Sequence, residues 1–265
     1  MILRTILFAL LFCSAVASAQ NLEVVSAKKT LTLTLDTLKA KLKSYTVKID
    51  DPVYLKTMEF DAFLLSDVLQ AAGVDSADRA DELIFTAVDG YAPSVSFDKL
   101  KDHKAYLAYQ DHATPGRFPL VQQGKAMISP WPFYVVWSDG AKLKDEVPWP
   151  YQLVKLEVAN WSAKFPKLVP VKLAANSAQM QGFALFKDHC VRCHSINLQG
   201  GDIGPELNVP QNVTEYWSRG TLKDFIKDAS KFRAKSKMPS FTQFSDKDID
   251  HIYAYLRIMR EHKIP

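Results

Sequence analysis

The chain has 265 residues, is 48% hydrophobic by the broad count, and carries a formal net charge of +4. So mild a charge, with no long Arg/Lys block, argues against a nucleic-acid partner, and the length suits two domains or one large one. Its three cysteines, Cys13, Cys190 and Cys193, are too few for a disulfide framework, so the fold must rest on apolar cores.

Met1-Ile2-Leu3-Arg4 leads into an apolar run from Thr5 to Ala17, followed by Ser18-Ala19. A basic residue, a short apolar core and small residues before Gln20 predict a cleaved secretory signal over residues 1–19, and hence a periplasmic location. Phe12 beside Cys13 argues against lipoprotein cleavage at that cysteine. No later stretch is long and charge-free enough for an integral membrane segment after cleavage. Removal of the signal also removes Cys13, so Cys190 and Cys193 need a chemical explanation of their own.

The next 140 residues read as mixed α/β. Leu31, Leu33 and Leu35 alternate with threonines, and Tyr45, Val47 and Ile49 form a second run of period two that Asp50-Asp51-Pro52 stops. Leu64, Leu65, Val68 and Leu69 fit one face of a helix between a capping Asp61 and a terminating Gly73. Leu83–Val88, Phe133–Trp137 and Tyr151–Val158 read as strands, the first two ending at Asp89-Gly90 and Asp139-Gly140. The expected division is a domain over 20–165, a linker over 166–173 containing Pro166 and Pro170, and a second domain over 174–265. Trp161 and Phe165 are candidates to pin the boundary to a domain surface. In the second domain a helix from Ser177 to Asp188 runs into Cys190. A closing helix from Asp246 to Glu261 starts at Ser245 with a capping-box-like Asp248.

Cys190-Val191-Arg192-Cys193-His194 places two thiols where they can form thioethers to both haem vinyl groups, with an adjacent imidazole for the iron. His194 then needs an acceptor on its other ring nitrogen to fix its tautomer. A thiol–disulfide pair and half of a zinc site are the competing readings. A helix precedes the motif and a Gly-rich loop follows it, which is unlike the strand-to-helix setting of a redox pair. His189 and His251 supply no convincing second ligand pair for zinc. Met238, in Lys237-Met238-Pro239, is the candidate distal ligand, with Phe241 and Phe244 placed to exclude water; Met180 and Met259 read as core. With His194 and Met238 as metal ligands, outer-sphere electron transfer is the expected chemistry. Tyr216, Trp217 and Arg233 are candidates for the haem edge, and Lys231, Arg233, Lys235 and Lys237 for a docking face.

On these residues, 174–265 resembles the class I monohaem cytochrome c domain. The resemblance includes Gly182-Phe183-Ala184-Leu185-Phe186, Gly204-Pro205, Met238-Pro239 and Ile252-Tyr253-Ala254-Tyr255-Leu256. It implies an all-α fold, one covalently bound haem c, a close crossing of first and last helices at Gly182, and the Pro205 carbonyl as orienter of His194.

Residues 25–160 resemble the molybdopterin-binding oxidoreductase fold of the sulfite-oxidase type. The likeness lies in Phe63 to Val74, Asp89-Gly90-Tyr91 and Trp149-Pro150-Tyr151-Gln152-Leu153. That family ligates its metal with a cysteine, and residues 20–189 contain none. The expectation is a cofactor-free, molybdenum-free relative that docks a periplasmic redox protein or oxidoreductase subunit. His103, Asp111, His112 and the aromatic run Trp131-Pro132-Phe133-Tyr134 are its polar and contact-surface candidates, and no catalytic residue is assigned. The preferred function is a periplasmic single-electron carrier or cytochrome subunit. The alternatives are an enzyme whose first domain oxidises a small molecule and reduces the fused haem, and a haem-based sensor.

Overall fold

A computed structural model describes residues 20–74, 80–123 and 126–264; the secretory-signal expectation and Cys13 lie outside them. The first unit contains β1 (Asn21–Val25), β2 (Thr30–Thr34), α1 (Leu35–Lys41), β3 (Ser44–Asp51), β4 (Lys56–Leu64), α2 (Leu65–Ala71), β5 (Glu82–Ala87) and β6 (Ser94–Ser96). It continues with α3 (Phe97–Asp102), β7 (Ala105–Asp111), β8 (Val121–Gln123), β9 (Ala126–Ile128), β10 (Tyr134–Trp137) and β11 (Leu153–Ala159). Two sheets carry it, in the orders β2-β1-β11-β5-β6 and β10-β7-β4-β3. The pairing of β1 with β11 is parallel, with Glu23 opposite Lys155, and so ties the start of the unit to its end.

Alternation explains β3, where Val47, Ile49 and Asp51 point inward and their neighbours face water. Every residue of β10 is buried. Leu22, Phe60, Phe63, Phe85, Leu107, Trp137 and Leu156 are among the fully buried side chains of this core.

One expected element changes type. Asp61 does not cap a helix: β4 runs through it to Leu64, and α2 begins only at Leu65. Met58, Phe60 and Ala62 alternate into the core, and β4 is hydrogen-bonded to β3 on one side and β7 on the other. Ladder bonds on both edges outweigh the helical spacing of Leu64 and Leu65. Asp61 faces outward and accepts from His112 Nδ1 at 2.8 Å and Gln110 Nε2 at 2.6 Å. Gly73 ends α2 at φ +72°.

The second unit is mostly helical: α4 (Trp161–Lys164), α5 (Ala178–His189), α6 (Val213–Tyr216), α7 (Arg219–Lys227) and α8 (Asp246–Met259). A short hairpin, β12 (Ser195–Ile196) with β13 (Gln199–Gly200), departs from the all-α expectation. Ser177 caps α5, and Ser245 with Asp248 forms a full capping box on α8. The two helices cross at Gly182, where a Cβ would overlap the His251 carbonyl oxygen. Phe186, Ile249, Ile252, Tyr255, Leu256 and Met259 pack around that crossing. Trp161 and Leu168 are buried in this second core, with Phe165 and Val169 against it. Residues 161–169 therefore lie along the helical unit and do not form a free tether. The Tyr255 hydroxyl donates to the Leu168 carbonyl at 2.9 Å.

No described helix is long and apolar enough to cross a membrane.

Candidate functional site

α5 delivers the cysteine motif and then widens into a last turn that shares one carbonyl. The Cys190 and Val191 N–H groups both donate to the Phe186 carbonyl, at 2.8 and 3.0 Å, and the His194 N–H donates to the Cys190 carbonyl at 2.9 Å. Cys190, Cys193 and His194 are thereby held on one tight turn. Both thiols are free of disulfide. Burial pushes the Cys190 thiol up to about 12 and also raises Cys193, against the opposing effect of Arg192. Protonated, desolvated thiols are poor thiolate nucleophiles, which disfavours thiol–disulfide exchange here.

The chain then reverses at Asn197 and Leu198, both at positive φ (54° and 63°), as a two-residue hairpin turn requires. The return brings Gly204 under the His194 ring; a Cβ there would lie 2.5 Å from Cε1. The Pro205 carbonyl oxygen is 2.8 Å from His194 Nδ1. A carbonyl only accepts, so Nδ1 carries the proton and Nε2 is left as the unprotonated nitrogen. Burial lowers the His194 pKa by more than the Pro205 carbonyl raises it, so the ring is neutral at pH 7.

A buried polar network that sequence reasoning missed fixes this loop. Glu206 accepts from the N–H groups of Asn197, Leu198, Asn208 and Val209 at 2.8–3.1 Å. Burial opposes its charge, but the Ser195 hydroxyl and these N–H groups hold its pKa below the ordinary value. Asn208 Nδ2 donates to Asn197 Oδ1, and Asn212 Nδ2 to Asn208 Oδ1 and the Leu256 carbonyl. All three asparagines are fully buried. Scattered Asn residues in a loop-rich stretch carry no periodic signal, so only the fold reveals the ladder.

Met238 is half-buried against the second core, and its N–H donates to Ser236 Oγ at 3.2 Å. Phe241 and Phe244 stack on one another at 5.1 Å, and Phe244 meets the edge of His189. Trp217 packs on Phe225 at 4.7 Å, Tyr216 is half exposed, and Lys231, Arg233, Lys235 and Lys237 are all exposed.

The polar candidates of the first unit do not converge. His103 lies 3.5 Å from Asp139 just before β7, whereas His112 pairs with Asp61 just after it. The strand between them spans about 23 Å at roughly 3.3 Å per residue. Asp111 is buried and accepts from the Thr114 hydroxyl at 2.8 Å. Phe133 and Tyr134 are fully buried and Trp131 packs partly buried against the same core, so the run is mainly core. Among the described residues no three His, Cys, Asp or Glu side chains form a metal site, which leaves a zinc reading of the cysteine pair short of ligands.

The units touch at the motif itself. Arg192 Nη1 donates to the Tyr91 hydroxyl at 3.1 Å, and Lys187 Nζ pairs with the buried Glu82 at 2.6 Å. Lys187 also sits over the Trp161 ring, 5.3 Å from its centre.

Residues 177–256 match a family model described as Cytochrome C oxidase, cbb3-type, subunit III. The comparison with curated proteins gives no match. Among solved structures, the sulfane dehydrogenase SoxCD from Paracoccus pantotrophus is similar at 16% identity, over 53% of this chain and 38% of that chain, with a TM-score of 0.36. This chain thus spans well under half of that one. The helical C-terminal unit is related to a cytochrome-type redox family, and a mixed α/β unit precedes it.

Proposed function

We propose that the chain is a periplasmic single-electron carrier or cytochrome subunit holding one covalent haem c. Cys190 and Cys193 would form the thioethers, His194 the proximal bond and Met238 the distal bond. The observation that carries this is the set on one turn: two unpaired thiols beside an imidazole whose Nδ1 is on the Pro205 carbonyl and whose Nε2 is free. That donor set fits the group, because a neutral imidazole and a thioether are the ligands low-spin haem iron takes. When bound, the haem supplies a one-electron couple.

The protein's own residues do the rest. Pro205 holds the Nδ1 proton and so fixes the direction of the His194 lone pair. Gly204 lets the loop backbone pass against the ring. The Glu206–Asn197–Asn208–Asn212 network holds that loop to α8, which limits reorganisation around the site. The mixed α/β unit acts as a molybdenum-free docking unit for a periplasmic redox protein or oxidoreductase subunit. The support is that residues 20–189 hold no cysteine and that this unit packs directly on Arg192.

The test is retention of haem by the exported chain after denaturation, read by intact mass and a haemochrome spectrum. One haem per chain is expected, lost in the Cys190→Ala/Cys193→Ala double variant. Haem that extracts from the wild-type chain overturns the reading. Met238→Ala is expected to convert the low-spin spectrum to one with an open or water-filled sixth position and to lower the reduction potential; an unchanged spectrum moves the distal ligand elsewhere.

A further inference from the structure

Arg192 stands between the two cysteines, and the first unit holds it by main chain and side chain together. The Ala92 N–H donates to its backbone carbonyl at 3.4 Å, and its Nη1 donates to the Tyr91 hydroxyl at 3.1 Å. Its Nη2 donates to the Asp188 carbonyl, one turn earlier on α5. Tyr91 is fixed in its turn. Its N–H donates to Asp89 Oδ1 at 3.1 Å, and its carbonyl accepts from the Ala87 N–H at 2.9 Å. A residue that adjoins Cys193 and lies two from His194 is thus positioned from outside the helical unit.

The charge placed there has no counter-ion. Every side-chain partner of Arg192 among the described residues is a neutral oxygen, one hydroxyl and one carbonyl. The side chains of Asp89, Asp188 and Asp202 are exposed, and Asp89 is engaged by its own turn. Arg192 Nε is buried and bonded to nothing, and Trp149 on the facing wall offers a donor, its own Nε1 being equally unpaired. A half-buried guanidinium with a dry Nε is screened less than one in open water. Its field reaches both thiols, and at Cys193 it outweighs that of Asp89.

A fixed positive charge beside a one-electron centre favours the reduced form, because reduction adds the negative charge that the guanidinium attracts. We infer that the first unit raises the reduction potential of the haem site by holding the Arg192 guanidinium against the cysteine motif, with Tyr91 as the positioning residue. The inference rests on the covalent-haem reading and extends it: the α/β unit forms part of the electrostatic environment of the redox site.

The test is spectroelectrochemical titration of the full exported chain and its variants at constant ionic strength, after covalent haem content has been measured for each. Arg192→Gln is expected to lower the reduced-to-oxidised ratio at a given applied potential at least threefold, about 28 mV at 59 mV per tenfold. Arg192→Lys, which keeps the charge, is expected to recover most of that loss. Tyr91→Phe keeps the ring and removes the hydroxyl. It is expected to lower the ratio about twofold in the wild-type chain and to change nothing further in the Arg192→Gln background. Should Arg192→Gln not accumulate, Tyr91→Phe alone decides the matter. Unchanged potentials at unchanged haem content overturn the inference and leave the haem reading standing. Equal losses in Arg192→Lys and Arg192→Gln, or additive losses in the double variant, overturn it as well, by assigning the effect to packing or to Tyr91 alone. A wild-type chain without covalent haem overturns both readings.

Discussion

At Gly204 the missing side chain matters as much as the imidazole above it. A methyl group 2.5 Å from His194 Cε1 forces either the ring or the loop to move. Gly204→Ala is therefore expected to cost about 1–3 kcal/mol by overpacking and to loosen the 2.8 Å bond to Pro205. Denaturant midpoints and the ring nitrogen shifts of His194 would show both effects, and an unchanged midpoint would contradict the packing argument. Asp51 offers a different residue-level test. Burial raises its pKa, although the Tyr54 and Val53 N–H groups and the Tyr134 hydroxyl pull the other way. The folded chain thus keeps that proton to higher pH than the unfolded chain. Stability from this group is full below the ordinary carboxylate pKa and declines as pH rises through the raised value. Asp51→Asn keeps an acceptor for both N–H groups and is expected to flatten that decline, measured as urea midpoints from about pH 4 to about pH 7.

Between elements, the crossing of α5 and α8 decides whether the helical unit closes. Gly182 brings the α5 backbone onto the His251 carbonyl, and any Cβ must push the helices apart. Gly182→Ala would gain helix propensity of up to about 1 kcal/mol on an open surface. Here it is expected to lose about 3 kcal/mol net, read as a fall in the melting temperature of the helical unit. A neutral or stabilising result would mean that the crossing is looser than this backbone contact implies. The two helices were legible beforehand, and so was the cap of α8, because Ser245 and Asp248 are local signals that no tertiary contact had to supply. The segment from Asp61 to Leu64 was not. Its residues satisfy a helical spacing and a strand alternation equally well, and pairing with β3 and β7 chose the strand.

For the whole molecule, the joint between the units rests on a few polar contacts. Lys187 neutralises Glu82, which is only 5% exposed at the start of β5, and covers the Trp161 ring. Lys187→Met leaves that carboxylate buried without a partner, at a cost of about 3 kcal/mol. The expected outcome is that one thermal transition divides into two, seen by calorimetry as separate melting of the two units; a single transition would show that the joint is held elsewhere. By itself the sequence determined the cysteine–histidine motif, the capped helices that carry it and the two-part organisation, because these depend on residues close together in the chain. Tertiary structure decided the rest. The asparagine ladder under the His194 loop and the unpaired donors of Arg192 and Trp149 are relations between distant residues. Whether a polar atom there is satisfied depends on which segments the fold brings within 3 Å, and no local pattern in the sequence records that.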